Sequence, residues 1–318
     1  MSVTVLTGRS GSGKSRVLMK LIAGFIKDPF SKVIVIVPGQ LTFETEKNIM
    51  EQCRVKGILG LEVMSVQRLA FKVLEDAGSV SFISNAQKAL YLSRALEGEA
   101  FGDISGLEDC TAALMTRLKS YCQTPESLRA AAEGLKDGEL KKKLLNVAHV
   151  YERYIKLCGG RPDVSDMYAM AAAAAPRAEF LHGAHVVIDG LDSASPAVLD
   201  FLAEVIYLSK DVTAAFRSGS EEEGDLFYSE QEDMRRFIEA AKKSGKHVTV
   251  RNATETGRYD CAELAYLEAN LYRYPYKPYG GEVKGIILLQ AQSLEAEVEM
   301  IASGILKEIK EGRRFRDI

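Results

Sequence analysis

Eight residues near the start of the chain, Gly8-Arg9-Ser10-Gly11-Ser12-Gly13-Lys14-Ser15, constrain its fold more than any other stretch. They match the pattern G-x-x-x-x-G-K-[ST] at every fixed position. A short apolar run, Val3–Thr7, precedes them, and Arg16 to Ile26 reads as a helix after them. Glycines let such a loop curl until its backbone N–H groups face an anion. The N-terminus of the following helix adds its dipole at the same point. A lysine in this position reaches the β and γ phosphates, and the hydroxyl after it is placed to ligate Mg²⁺. A Gly/Ser linker is the alternative reading, but a buried strand before and a helix after speak against it. Gly8, Arg9, Ser10, Gly11, Ser12, Gly13, Lys14 and Ser15 are therefore the candidate nucleotide-binding residues, with ATP and Mg²⁺ the implied ligands.

The chain that follows supplies a sheet for this loop. A second buried strand is expected at Lys32–Val37, stopped by Pro38-Gly39, with a helix from about Thr42 to Arg54. Leu61–Ser65 and Val66–Ala77 repeat the plan. Strand and helix alternating in this way build a parallel α/β sheet. From about Ser84 to Pro176 no strand-like run occurs, and apolar residues recur at helical spacing, as in "ALYLSRAL" and "KKKLLNVAHVYERYIKLC". That stretch reads as an all-helical insert. The α/β pattern then returns: strands at His185–Ile188, Asp211–Phe216 and Val248–Val250, and helices at Pro196–Leu208 and Gln231–Ser244. "VKGIILLQA", Val283 to Ala291, is expected as a further strand before a helix over Glu295–Glu311. The expected organisation is a P-loop domain from 1–83 and 177–318, interrupted by a helical insert at 84–176.

"VVIDG", Val186 to Gly190, is an apolar strand ending in an aspartate. In P-loop proteins that carboxylate completes the magnesium shell, so Ser15 and Asp189 form the candidate metal pair. An aspartate that merely ends a strand is the alternative. Many P-loop motors carry Glu at the next position to orient the attacking water; here it is Gly190, which can neither orient nor accept a proton. Asp192 lies two residues on and need not reach the same point. Holding a nucleotide is better supported than hydrolysing one, and no residue is assigned as catalytic.

Composition closes off other classes. The net charge of −3 gives no global basic field, so any nucleic acid must be met by a local groove. Five scattered cysteines and four histidines, with no CxxC, fit neither a zinc site nor a disulfide framework. No signal peptide is legible, and no apolar run approaches the ~20 residues of a membrane span. A cytoplasmic protein without a membrane partner is expected. "EGRRFRDI" stops where another apolar strand would be expected, so the chain reads as the N-terminal portion of a longer protein.

"GRSGSGKS", "VIVIVPGQLTFETEK", "GLEVMSVQRLAFKVLEDAG", "VVIDGLDSASPAVLDFL" and "SLEAEVEMIASGILKEIKEGRRFRDI" together resemble, in order, the N-terminal part of the AddB/RexB family. These are the B subunits of bacterial AddAB helicase–nucleases. The resemblance spans nearly the whole chain, more loosely in its helical middle. It implies a RecA-like domain of the superfamily 1 helicase type, with the insert as its 1B subdomain. It also implies a decayed motor, an AddA-like partner subunit that supplies the working one, and a role in resecting double-strand breaks for recombinational repair. The family's nuclease domain and iron–sulfur cluster have no counterpart in these residues. The resemblance further implies that the B subunit helps read a recombination hotspot sequence on the 3′ strand; Gly39, Val66 and Leu191 stand where the family often has Glu, an aromatic residue and Phe, departures that bear on that sequence preference.

The same resemblance implies that the loops after the second and third strands follow single-stranded DNA, the 3′ strand. The candidates there are Gln40, Thr42, Phe43, Ser65, Gln67, Arg68 and Phe71. Their types suit that role, with hydroxyls, amides and a guanidinium for phosphates or base edges, and an aromatic ring for stacking. Phe71 shares an apolar helical face with Leu74 and is as readily core, and Thr42 could be only a helix cap. An active ATP-driven translocase, a small-molecule P-loop kinase and a P-loop interaction module remain as alternatives. The first would need a water-orienting carboxylate and an arginine finger from beyond residue 318.

Overall fold

The computed structural model describes residues 2–55, 57–78, 80–98, 106–191, 194–219, 226–253, 258–315 and 318. They form two compact units, Met1–Arg258 and Tyr259–Ile318.

The first unit opens with β1 (Ser2–Gly8), α1 (Lys14–Phe25), β2 (Val33–Ile36), α2 (Thr42–Cys53), β3 (Leu61–Met64) and α3 (Val66–Asp76). Helices α4 (Asn85–Leu96), α5 (Leu107–Ser120), α6 (Pro125–Glu133), α7 (Glu139–Cys158) and α8 (Met167–Ala174) follow. The sheet resumes with β4 (His185–Asp189), α9 (Pro196–Leu208), β5 (Asp211–Arg217), α10 (Tyr228–Lys243) and β6 (His247–Asn252). Among the described residues the strands make one six-stranded sheet in the order β3-β2-β4-β5-β1-β6. Every pairing is parallel. The fold is therefore a parallel α/β sheet with a helical insert, as the alternation of elements implies.

Because side chains alternate across a strand, the strands inside the sheet feed two cores. Val5, Ile34, Ile188 and Phe216 face one side, where α3, α8, α9 and α10 cover them. Leu6, Val35, Val187 and Ala215 face the other, under α1 and α2. Burial on both faces explains why these strands read as continuous apolar runs. The alanines of α8 let it lie against α3 and α9 on the sheet, although α8 falls within the helical stretch of the sequence. Helices α4 to α7 instead surround a third core built on Leu92, Met115, Tyr151 and Tyr154.

That insert core is tied together by a buried carboxylate. Asp163 is 1% exposed. It accepts hydrogen bonds from the Tyr154 hydroxyl at 2.6 Å, the Lys119 ammonium at 2.9 Å and the Ser165 backbone N–H at 2.6 Å. Lys119 also reaches Asp166 at 2.7 Å, and Lys88 approaches Asp163 at 3.8 Å. Burial pushes the Asp163 carboxyl up, but the Tyr154 hydroxyl and the Lys119 ammonium outweigh it and hold the group at about 2. Burial pulls the Lys88 ammonium below its usual range.

The second unit contains α11 (Ala262–Asn270) and α12 (Leu294–Lys310). The strand expected at Val283–Ala291 does not form: the segment joins no ladder, and Leu288 is 95% exposed. Strand formation needs a paired edge. Here the Glu263 carboxylate takes the backbone N–H groups of Lys284 at 3.1 Å and Gly285 at 2.7 Å, two donors a ladder would use. α12 forms as expected and buries none of its residues. No helix among the described residues is long and apolar enough to cross a membrane.

Candidate nucleotide site and adjoining groove

β1 delivers the glycine-rich loop to the C-terminal edge of the sheet, and α1 starts at Lys14 directly after it. Glycine is favoured at position 8: its φ is 151°, and a Cβ there would come within 3.0 Å of the Ala253 carbonyl oxygen as well as against the Ser12 hydroxyl. The Lys14 ammonium donates to the carbonyls of Gly8 at 2.6 Å and Arg9 at 2.8 Å, which holds the loop curled around it. The Ser15 hydroxyl donates to Asp189 Oδ2 at 2.7 Å. This bond joins the two motifs across 174 residues of sequence. Both line a cleft of about 680 Å³, together with Ser10, Gly11, Ser12, Gly13 and Pro38.

A hydroxyl and a carboxylate side by side are hard oxygen donors of the kind Mg²⁺ takes. No group of three His, Cys, Asp or Glu that could cage a metal occurs among the described residues.

The position after Asp189 is strained for any residue but glycine. Gly190 has a φ of 83°, and a Cβ on it would stand 3.0 Å from Pro38 Cδ. A glutamate there meets both a left-handed backbone and the proline ring. Asp192 lies outside the described residues.

A second cavity, about 440 Å³, adjoins the first through Val37, Pro38, Asp189 and Gly190. Of the seven candidate DNA contacts it gathers three: Gln40, Ser65 and Gln67. The Ser65 hydroxyl also caps α3, accepting from the Arg68 N–H at 3.2 Å. Thr42 turns its hydroxyl back to the Gly39 carbonyl at 3.0 Å, a local bond. Phe43 is 78% exposed on the first turn of α2, and Arg68 is exposed on the first turn of α3. Phe71 is not brought to this surface: it packs against the core, edge-on to Phe82 at 6.1 Å. Leu191, where the family often has Phe, is buried in the same core.

Two further residues were not legible. Tyr168, from α8, lines the second cavity and leans on Phe201 at 6.3 Å between ring centres. Arg217, the last residue of β5, lines the nucleotide cleft with Arg16 and Arg258. Tertiary structure alone brings these side chains in, and no local pattern in the sequence marks them.

The sheet, the loop and the Ser15–Asp189 pair define a P-loop α/β protein. Within that class the chain belongs to the family described as ADDB, N-terminal, whose model matches residues 5–268. Three proteins named as the B subunit of an ATP-dependent helicase/deoxyribonuclease resemble it along its length. Identity is 29% over 340 residues in Acetivibrio thermocellus, 30% over 346 in Geobacillus thermodenitrificans and 28% over 345 in Bacillus subtilis. Each match takes in 100% of this chain and 30% of the relative, so the chain spans about 30% of the length of these curated relatives. A solved chain described as the bacterial conjugative coupling protein TrwBdeltaN70 aligns over 75% of this chain and 66% of its own length at 13% identity. Its TM-score of 0.27 is too low to bear on the fold.

Proposed function

We propose that this chain is the nucleotide-holding, single-strand-contacting N-terminal region of the B subunit of a helicase–nuclease that processes double-strand breaks in the cytoplasm. It works beside an AddA-like subunit that supplies the motor. The observation that carries the reading is the 2.7 Å bond from Ser15 to Asp189 at the mouth of the glycine-rich loop. Gly8 to Gly13 would present N–H groups to the phosphates, and Lys14 would exchange loop carbonyls for the β and γ oxygens. Ser15 and Asp189 would hold Mg²⁺, which neutralises phosphate charge when bound. Hydrolysis is not part of the reading, because residue 190, where a motor would carry the carboxylate that orients water, is glycine, and a longer side chain there would meet a left-handed backbone and the Pro38 ring. ATP then acts as a ligand that stabilises one state of the protein.

Single-stranded DNA would lie over the second cavity. Gln40, Gln67 and Arg68 supply polar contacts, Ser65 and Thr42 assist at the helix starts, and Phe43 or Tyr168 stacks a base. Phe71 is left out of this set because it is committed to the core.

Equilibrium binding of a fluorescent ATP analogue, with and without Mg²⁺, tests the nucleotide reading. Wild type is expected to bind saturably and better with Mg²⁺. Lys14→Ala and Asp189→Ala are expected to lose about tenfold to a hundredfold, the scale of charge-assisted bonds. Equal affinity in all three proteins contradicts it.

A further inference from the structure

β5 runs between the two motif-bearing strands, with β1 on one side and β4 on the other. Its last residue, Arg217, lies in register with Gly8, the first residue of the loop, and Ala215 lies in register with Asp189. Residues two apart on a strand share a face, so Ala215 and Arg217 both line the cleft while Phe216 enters the core beneath. Alanine at the first of these positions leaves room above the sheet. Arg217 therefore lines the same cleft as the Ser15–Asp189 pair, on the neighbouring strand and two residues beyond the level of Asp189, within reach of a polyphosphate that ends near that pair.

Arg217 also faces away from the loop. Its Nη2 is 3.8 Å from Glu230 Oε1, on the first turn of α10. A second cation of the loop points the same way: the Arg9 guanidinium lies 5.2 Å over the ring of Phe227, the residue that precedes α10. The start of α10 thus meets one cation that lines the cleft, Arg217, and one that belongs to its loop, Arg9. An ion pair at this separation between partly exposed groups is weak. A terminal phosphate offers a guanidinium two oxygens in a fork-shaped geometry and more charge.

We propose that Arg217 distinguishes a nucleoside triphosphate from a diphosphate in this cleft, giving up Glu230 for the terminal phosphate and so reporting the bound nucleotide to α10. The inference rests on the nucleotide reading above. It assigns Arg217 as a specificity residue and α10 as the element that senses occupancy.

The test measures the affinity of the purified chain for ADP and for a non-hydrolysable ATP analogue, both with Mg²⁺. The proteins are wild type, Lys14→Ala, Arg217→Gln, Arg217→Ala and Glu230→Gln. Wild type is expected to prefer the triphosphate. Arg217→Gln and Arg217→Ala are expected to lose about tenfold for the triphosphate and nothing for ADP, whereas Lys14→Ala weakens both. Glu230→Gln removes the competing carboxylate and tightens the triphosphate alone. Amide exchange over the first turn of α10 is expected to change with the triphosphate, not with ADP, and not in Arg217→Gln. If the Arg217 variants lose both ligands equally, or neither, Arg217 has no such role and the nucleotide reading survives. If wild type binds neither ligand, the nucleotide reading falls and this inference with it.

Discussion

Two aspartates mark two regions of the molecule. In the P-loop cleft, Asp189 accepts from Ser15 at 2.7 Å and faces about 680 Å³ of open space. In the helical insert, Asp163 is 1% exposed and takes Tyr154, Lys119 and the Ser165 N–H as its donors. The first carboxylate sits where a ligand can reach it. The second has its hydrogen-bonding capacity met by its own chain, and its job is to lock α5, α7 and the turn before α8 in one arrangement. A charge at the edge of a cleft points to binding, and a saturated buried one to architecture.

The largest effect should come from the insert. Asp163→Ala leaves the buried Tyr154 hydroxyl without its acceptor and Lys119 with Asp166 alone, and a loss of about 2–4 kcal/mol is expected in urea unfolding. A change below about 1 kcal/mol would mean that the two aspartates are alike after all. Next is Gly190→Glu, which forces a side chain onto a left-handed backbone beside Pro38. It should cost about 1–3 kcal/mol and bring no ATP turnover. Turnover in this variant would mean that the cleft lacks only a carboxylate.

Acid should separate the regions further. The folded Asp163 carboxyl is held at about 2, below its ordinary value of 3.8. Its contribution is therefore complete above the ordinary value and is lost as the pH falls toward 2. Between pH 4 and pH 2, wild type should lose about 2 kcal/mol more than Asp163→Asn. Parallel acid curves for the two proteins rule out the buried hub. The smallest stability effect is expected for Arg68→Ala, within about 0.5 kcal/mol of wild type. Its effect should appear instead as weaker single-strand binding at low salt, measured by fluorescence anisotropy with the partner subunit present.

How far the sequence reached differs between the same two regions. The loop from Gly8 to Ser15 is contiguous and Asp189 ends an apolar strand, so both could be read locally. The inner strands β1, β2, β4 and β5 were legible because burial on both faces leaves short apolar runs, and the edge strands β3 and β6 because apolar residues alternate along them. The Asp163 hub was not, because Lys119 lies 44 residues away in sequence and nothing local announces the pairing. Tyr168 and Arg217 escaped for the same reason. Val283–Ala291 has the composition of a strand, but a strand also needs an edge, and Glu263 has claimed two of the donors there. Gly190 was visible as a missing carboxylate, but its left-handed backbone and its approach to Pro38 appear only in the fold.

The central claim is that the cleft holds a nucleoside triphosphate intact. Determining the structure after prolonged incubation with ATP and Mg²⁺ tests it most directly. The account predicts an unhydrolysed triphosphate against Lys14, with the metal at Ser15 and Asp189. ADP in the cleft, or no nucleotide at all, would contradict it.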